Sequence, residues 1–443
     1  MSEEINRRDF MKRATVTAVG AGLSLSALSA RNVLGANEKV RVGVIGSGQM
    51  GIANMEAFLK HPQVEIVAVC DVYQPNLNRG LKAAGGEAQT YKDFRRILDR
   101  QDIDAVLIAT PDHWHALMSI MACQAGKDVY VEKPVSTFVE EGKYMVKTAR
   151  QYNRVVQVGT LVRSWIHTQE AVKLVRDGFL GQVHFVRAWT YGNEHPEGIG
   201  NPPDSAPPAD LDWDLWLGPA PKVPYNWNRF GVGDRWSTFR YFWDYAGGEM
   251  TDIGVHRLDI VQWAMNVEGP TNIVALGGKY CLKDNRETPD TLQVTYEYPG
   301  WVCVYECRLA NAHELSGKGS GITFHGTEAT LFLDYAGLRV YPEKRMLGKK
   351  EVDRAPAMQM DMANDAHVDH VANFLACIKS RQRPIADIEI GHRSSTTCHL
   401  ANIAYRSQER LGWDVAGEQL REGSPEAKKL LNREYRAPWK LSV

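Results

Sequence analysis

The apolar positions fall into two regimes. Between residues 39 and 160, short and nearly unbroken apolar runs alternate with stretches of helical period. Residues 39–45, Val64–Cys70, residues 105–110, Asp128–Val131 and residues 154–158 read as strands buried on both faces. Residues 52–60, 91–100 and a segment ending near 125 read as the helices between them. This alternation predicts a doubly wound parallel sheet, an α/β Rossmann fold. After residue 160 the pattern changes. A helix over 166–179 precedes a strand over 182–189. A long irregular stretch, 192–230, is rich in Pro, Asn, Asp and Trp. Runs at 271–281, 291–298, 302–309, 321–325, 329–334 and 338–341 then predict a large, open, predominantly antiparallel sheet. Helices near 366–380 and 392–410 close this α+β domain. The expected boundaries are 1–36 for an N-terminal segment outside the fold, 37–160 for the first domain, 161–415 for the second and 416–443 for a charged tail running over the surface.

The first strand opens into Gly46-Ser47-Gly48-Gln49-Met50-Gly51, which leads into a helix. The three glycines suit a tight turn, close approach of backbone to a pyrophosphate, and close helix–strand packing, with the pyrophosphate at the helix N-terminus. The second strand ends in Asp71, twenty residues past Gly51, the spacing of an acid that accepts ribose hydroxyls. Asp71 would repel a 2′-phosphate, so the turn predicts NAD in preference to NADP, with Arg79 nearby as the one contrary sign. Thr110-Pro111-Asp112-His113-Trp114-His115 and Glu132-Lys133-Pro134 also fall at strand carboxyl ends, where ligands of such sheets sit. Asp112 reads as a helix N-cap.

These segments, together with Ala246-Gly247-Gly248-Glu249-Met250-Thr251-Asp252 and the following Ile253-Gly254-Val255-His256, resemble the glucose–fructose oxidoreductase/inositol dehydrogenase (Gfo/Idh/MocA) family over residues 40 to about 413. The resemblance implies that Lys133 lies near the nicotinamide and the reacting hydroxyl, where a cation stabilises alkoxide character. His256 would be the acid/base, the one side chain of its motif whose ordinary pKa suits proton transfer near neutrality. Asp252, four residues earlier on an expected helix, would share its face and orient it or raise its pKa. Thr110, Pro111, His115 and Glu132 join the glycine turn as expected cofactor contacts. Arg163, Tyr191, Trp227 and Arg240 are candidate substrate contacts. Trp213, Trp216, Trp236 and Trp243 join Trp227 in one short span, where they either stack on sugar faces or pack the loop.

Three functions fit. The first is NAD-dependent oxidation of a sugar, glycoside or cyclitol hydroxyl. The second is a redox-neutral NAD-dependent glycosidase or lyase that oxidises, eliminates, adds water and reduces, with Tyr191 as an added base. The third is a non-enzymatic binding protein on the same fold, which the presence of Lys133, Asp252 and His256 disfavours.

Asn6-Arg7-Arg8-Asp9-Phe10-Met11-Lys12, followed by a mildly apolar stretch, looks like a twin-arginine export signal; the alternative is an N-terminal tail. Export through that machinery predicts a periplasmic protein whose cofactor is bound tightly, loaded before export and regenerated in place. No stable membrane span is expected. The net charge of −1 excludes a general pull toward nucleic acid. The seven cysteines show no zinc spacing and are expected as free thiols, and no metal is expected. Resemblance also implies a homodimer or homotetramer.

Overall fold

The computed structural model describes residues 39–231 and 237–441. The N-terminal signal-like segment and Trp236 lie outside them. Six strands form the first sheet: β1 (Val40–Ile45), β2 (Val64–Cys70), β3 (Gln89–Tyr91), β4 (Ala105–Ile108), β5 (Asp128–Val131) and β6 (Val156–Val158). All pair in parallel, in the order β3-β2-β1-β4-β5-β6. β1 and β4 are neighbours although two strands separate them in sequence. The winding reverses between them, which opens a crevice at their carboxyl ends. Val42, Val44, Val106, Leu107, Val129 and Val131 are fully or nearly fully buried, as continuous apolar runs require when helices cover both faces.

The second sheet has ten strands. Here β7 (Val183–Tyr191) runs parallel to β12 (Trp301–Arg308), and the other pairings are antiparallel. Its remaining members are β10 (Asn272–Gly278), β11 (Thr291–Tyr298), β13 (Ser320–Gly326), β14 (Ala329–Asp334), β15 (Gly337–Pro342), β18 (Met358–Asp361), β19 (Leu411–Asp414) and β20 (Gln419–Glu422). Two small ribbons, β8–β9 (Asp204–Ser205, Tyr225–Asn226) and β16–β17 (Lys344–Leu347, Lys350–Asp353), stand apart. In β11, Leu292, Val294, Tyr296 and Tyr298 are buried against the helices Gly254–Met265 and Ile388–Ser407, while Gln293 and Glu297 face out. This period of two makes one face core and leaves the other open.

Three local expectations change. Residues 91–100 are not one helix: β3 ends at Tyr91, and only Arg95–Leu98 is helical. Asp252 and His256 do not share one helix either. Glu249–Asp252 and Gly254–Met265 are separate, with a break at Ile253. The stretch 192–230 contains β8, β9 and short helices at Trp213–Leu217 and Trp227–Phe230. The charged tail runs over the surface but is also structured. β20 completes the large sheet, and Trp439 packs edge-on against Trp114, with ring centroids 4.9 Å apart, while Arg433 bonds the His113 carbonyl. All described cysteines are free; Cys303 and Cys307 are both buried on β12.

Candidate active site

The crevice at the carboxyl ends of β1 and β4 continues into a cavity of about 1210 Å³ bounded on its far side by the second sheet and the 192–199 loop. At one end the glycine turn is shaped for backbone approach. Gly46 has φ +89°, and a Cβ there would lie 2.6 Å from the Ala109 carbonyl. A Cβ on Gly51 would lie 2.1 Å from the Gly46 carbonyl, so this glycine seats the helix Gln49–Leu59 on the turn. Gly48 differs: a Cβ there would meet only Asn76 Nδ2, at 4.0 Å, and the open space is the cavity. Asp71 accepts from Ser47 N–H and Tyr73 N–H, both at 2.9 Å. Burial raises its carboxyl, and those N–H bonds oppose the rise. The combination fits a dinucleotide: a helix N-terminus with an uncovered glycine for the pyrophosphate, and a fixed carboxylate for the ribose. Gly46, Gly48, Gln49, Met50 and Asp71 line the cavity, whereas Ser47 and Gly51 hold its wall from behind. Arg79 is hydrogen-bonded to Asn76.

Past the turn, Thr110, Pro111, His115, Glu132 and Lys133 line the middle of the cavity. The ring nitrogens of His115 lie 2.7 Å from the Pro134 carbonyl and 2.8 Å from the Thr110 carbonyl, so this histidine ties the end of β4 to the Lys133-Pro134 turn. The Lys133–Pro134 peptide is cis. Glu132 is buried and accepts from Asn54 Nδ2 at 2.9 Å. Its carboxyl is raised by burial, against the pull of Lys133.

Lys133 Nζ donates to Asp252 twice, to the carboxylate at 2.6 Å and to the main-chain carbonyl at 3.0 Å. An ammonium has three N–H groups, so one remains for a ligand. The other oxygen of Asp252 lies 3.0 Å from Arg240 Nε. Burial alone would raise the Asp252 carboxyl; Arg240 and Lys133 together hold it well below the usual carboxylate range. Burial likewise works against the Lys133 ammonium, but Asp252 and Glu132 more than offset it, and its pKa is raised. Lys133 is therefore a fixed cation at neutral pH.

Asp252 is turned to Lys133 and Arg240 rather than serving as the partner of His256. The break at Ile253 separates the two residues that a continuous helix would have stacked. His256 lines the cavity with Nδ1 buried and without a hydrogen-bond partner. Burial first, then Lys133 and Arg257, lower its pKa well below the ordinary value. Asp252 pulls the other way without prevailing, so His256 is held as a neutral imidazole.

The candidate substrate contacts divide. Arg240 and Tyr191 line the cavity. Tyr191 Oη donates to Glu306 at 2.6 Å, and Arg308 stacks 3.7 Å from its ring centroid. Burial and Glu306 push the phenol up to about 12. Arg163 lies away from the cavity in a bidentate pair with Asp259, at 2.7 and 2.8 Å, its guanidinium over Trp263. Trp227 is 48% exposed at the start of a surface helix and does not line the cavity. Trp213 stacks on Trp216 at 4.7 Å and packs the loop; Trp216 alone of the described set also reaches the cavity wall. Trp243 is covered by Arg406, 4.8 Å from its ring.

Of the carboxyl groups in the cavity that sequence reasoning did not assign to the site, three are closely engaged with its charges. Asp112 is the first residue of the helix Asp112–Gln124 and makes no capping bond; Pro111 holds the cap position. Burial pushes its carboxyl up to about 8 despite Lys133 and Arg240. Glu249 stands one turn before Asp252, and burial and Asp252 push it up to about 7. Glu194 accepts from Tyr241 Oη at 2.9 Å and pairs with Arg286 at 2.5 Å. Spacing could have flagged Glu249 beside Asp252, but nothing local marks Glu194. Among the described residues no cluster of three or more His, Cys, Asp or Glu could hold a metal ion, and no helix is long and apolar enough to cross a membrane.

A parallel sheet wound 3-2-1-4-5-6, a glycine turn with its acid, and a lysine at the crevice define an NAD-binding Rossmann fold. The chain belongs to the Gfo/Idh/MocA oxidoreductase family: the family's NAD-binding Rossmann fold matches residues 40–160, and its C-terminal alpha/beta domain matches residues 169–298 and 349–441. Among curated proteins it is similar to a glycosyl hydrolase family 109 protein of Saccharopolyspora erythraea, 34% identical over 210 residues, 42% of this chain and 45% of the relative. It is also similar to an alpha-N-acetylgalactosaminidase of Shewanella oneidensis, 32% identical over 203 residues, 40% of this chain and 44% of the relative. The chain thus spans less than half the length of these relatives. Among solved structures it resembles the WlbA dehydrogenase of Bordetella pertussis in complex with NADH and UDP-GlcNAcA, with TM-score 0.64, 20% identity, and 85% of this chain and 99% of that one covered. A levoglucosan dehydrogenase in complex with NADH and levoglucosan superposes with TM-score 0.62 and 19% identity, covering 85% and 99%. At these identities the structures speak for the fold.

Proposed function

We propose that this NAD-dependent oxidoreductase acts on a ring hydroxyl of a sugar, glycoside or cyclitol, with Lys133, Asp252 and His256 as its chemical centre. The observation that carries this is the open valence of Lys133: a buried ammonium anchored by two bonds to Asp252, with one donor left beside a neutral imidazole. Bound NAD would supply the hydride acceptor. Lys133 would hold the substrate oxygen and stabilise its developing negative charge. His256 would take the hydroxyl proton, and Asp252, braced by Arg240, would fix the lysine. Glycine-turn backbone and Asp71 would hold the dinucleotide.

The redox-neutral glycosidase reading uses the same centre and is favoured by one observation: similar curated proteins include a family 109 glycosyl hydrolase and an alpha-N-acetylgalactosaminidase. It needs a further base, and Tyr191, held to Glu306 with a raised pKa, is poorly suited to that role.

The twin-arginine pattern at Arg7-Arg8 supports export to the periplasm, where a captive cofactor would be regenerated in place, and the family resemblance supports a homodimer or homotetramer. Protein purified from the exported fraction, denatured and assayed for nucleotide, is expected to release NAD or NADH in stoichiometric amount. Recovery only from the cytoplasm, without nucleotide, would refute the captive-cofactor reading.

A further inference from the structure

Glu249 and Asp252 are three residues apart on one helical turn, so their side chains leave the same face, and both line the cavity. Asp252 is fully engaged by Lys133 and Arg240. Glu249 is not, for its Oε2 is buried without a hydrogen-bond partner. A buried carboxyl oxygen left so beside a cavity is costly unless it serves a ligand. Its neighbourhood also holds it near neutrality: burial and the carboxylates of Asp252 and Glu194 favour the protonated form, while Arg240 and Lys133 oppose it. Such a group both gives and takes a proton.

We propose that Glu249 is a second proton-transfer residue, acting on the carbon next to the one served by Lys133 and His256. The proposal rests on the sugar or glycoside reading above. When the substrate carries a ketone at the Lys133 position, the Glu249 carboxylate takes the proton from the adjacent carbon. The C–H electron pair becomes the C=C bond of an enolate, and the carbonyl oxygen gains the negative charge, held by Lys133. Return of the proton restores the ketone. If the next carbon carries an aglycone, the enolate electrons expel it: the C–O bond breaks, a conjugated enone remains, and the departing oxygen takes a proton from water. No oxidant or reductant is consumed in either course. Tyr191 is the competing candidate, but its hydroxyl already donates to Glu306.

The test uses the full-length protein with its nucleotide and a methyl 3-keto-glucopyranoside in D₂O. Proton NMR follows exchange at the carbon beside the ketone, and absorbance follows oxidation of added NADH by the same compound. Wild-type protein is expected to exchange. Glu249→Gln is expected to exchange about 100-fold more slowly while NADH oxidation falls less than about tenfold, and Glu249→Asp to recover part of the exchange. Equal exchange by wild type and Glu249→Gln, loss of exchange in Tyr191→Phe with Glu249→Gln retaining it, or no exchange by wild type would each overturn the proposal. Absence of NADH oxidation by wild type would instead count against the oxidoreductase reading, while the exchange still reports on Glu249.

Discussion

Two of the buried cation–carboxylate pairs in this molecule differ in what they leave over. Arg163 and Asp259 are closed. Their side chains are 4% and 1% exposed, the pairing is bidentate, and Ser394 Oγ donates to the same carboxylate at 2.6 Å. Lys133 and Asp252 are open. They are 13% and 19% exposed on a cavity, one oxygen of the carboxylate is shared with Arg240, and the ammonium retains a donor. A satisfied pair fixes structure; an unsatisfied pair at a cavity is poised for a ligand.

Substitutions can break this contrast, beginning with the largest effect. Lys133→Ala is expected to lower kcat/KM by about 10³-fold or more while NAD stays bound, as steady-state kinetics and nucleotide release would show. Asp259→Ala leaves the Arg163 guanidinium buried and unpaired, and should cost about 3–5 kcal/mol in denaturant unfolding. If it instead abolished turnover with stability intact, the division between the pairs would fail.

The glycine turn offers a smaller version of the same contrast. Gly51→Ala places a Cβ against the Gly46 carbonyl and should cost about 1–3 kcal/mol of stability. Gly48→Ala meets open space and should fold normally, yet weaken NAD binding about tenfold or more in calorimetry. Asp112 predicts a pH signature. Its pKa is raised on folding, so its contribution is fully present below the unfolded value of about 4 and is lost as pH rises through about 8. Asp112→Asn should therefore lose less stability than wild type over that interval in thermal melts. Smallest is Trp227→Ala, within about 0.5 kcal/mol and without effect on turnover, since the side chain is half exposed outside the cavity.

What could be read from sequence follows the same line between local and distant. The nucleotide end is a strand, a turn and a helix in succession, followed by one acid on the next strand, so spacing alone exposed it. The alternating burial of β11 was legible for the same reason, because period two is local. The chemical end joins Lys133 to Asp252 across 119 residues and Arg163 to Asp259 across 96, and no periodicity reports such pairings. Arg163 read as a substrate contact because a lone arginine near a cleft gives no sign of its partner. The break at Ile253 was likewise hidden: the apolar spacing continues through it, while tertiary contacts turn Asp252 toward Lys133. Trp213 was ambiguous by itself; its stacking on Trp216 decided for packing.

The most direct test of the central claim follows hydride from a sugar carbon. NAD-loaded protein would be incubated with glycosides deuterated at their ring carbons, denatured, and the released nucleotide weighed by mass spectrometry. Wild-type protein should return nucleotide carrying one deuterium, and Lys133→Ala, still holding NAD, should return none. Unlabelled nucleotide from wild type across the panel, or equal labelling in Lys133→Ala, would contradict a hydride-transfer centre built on Lys133.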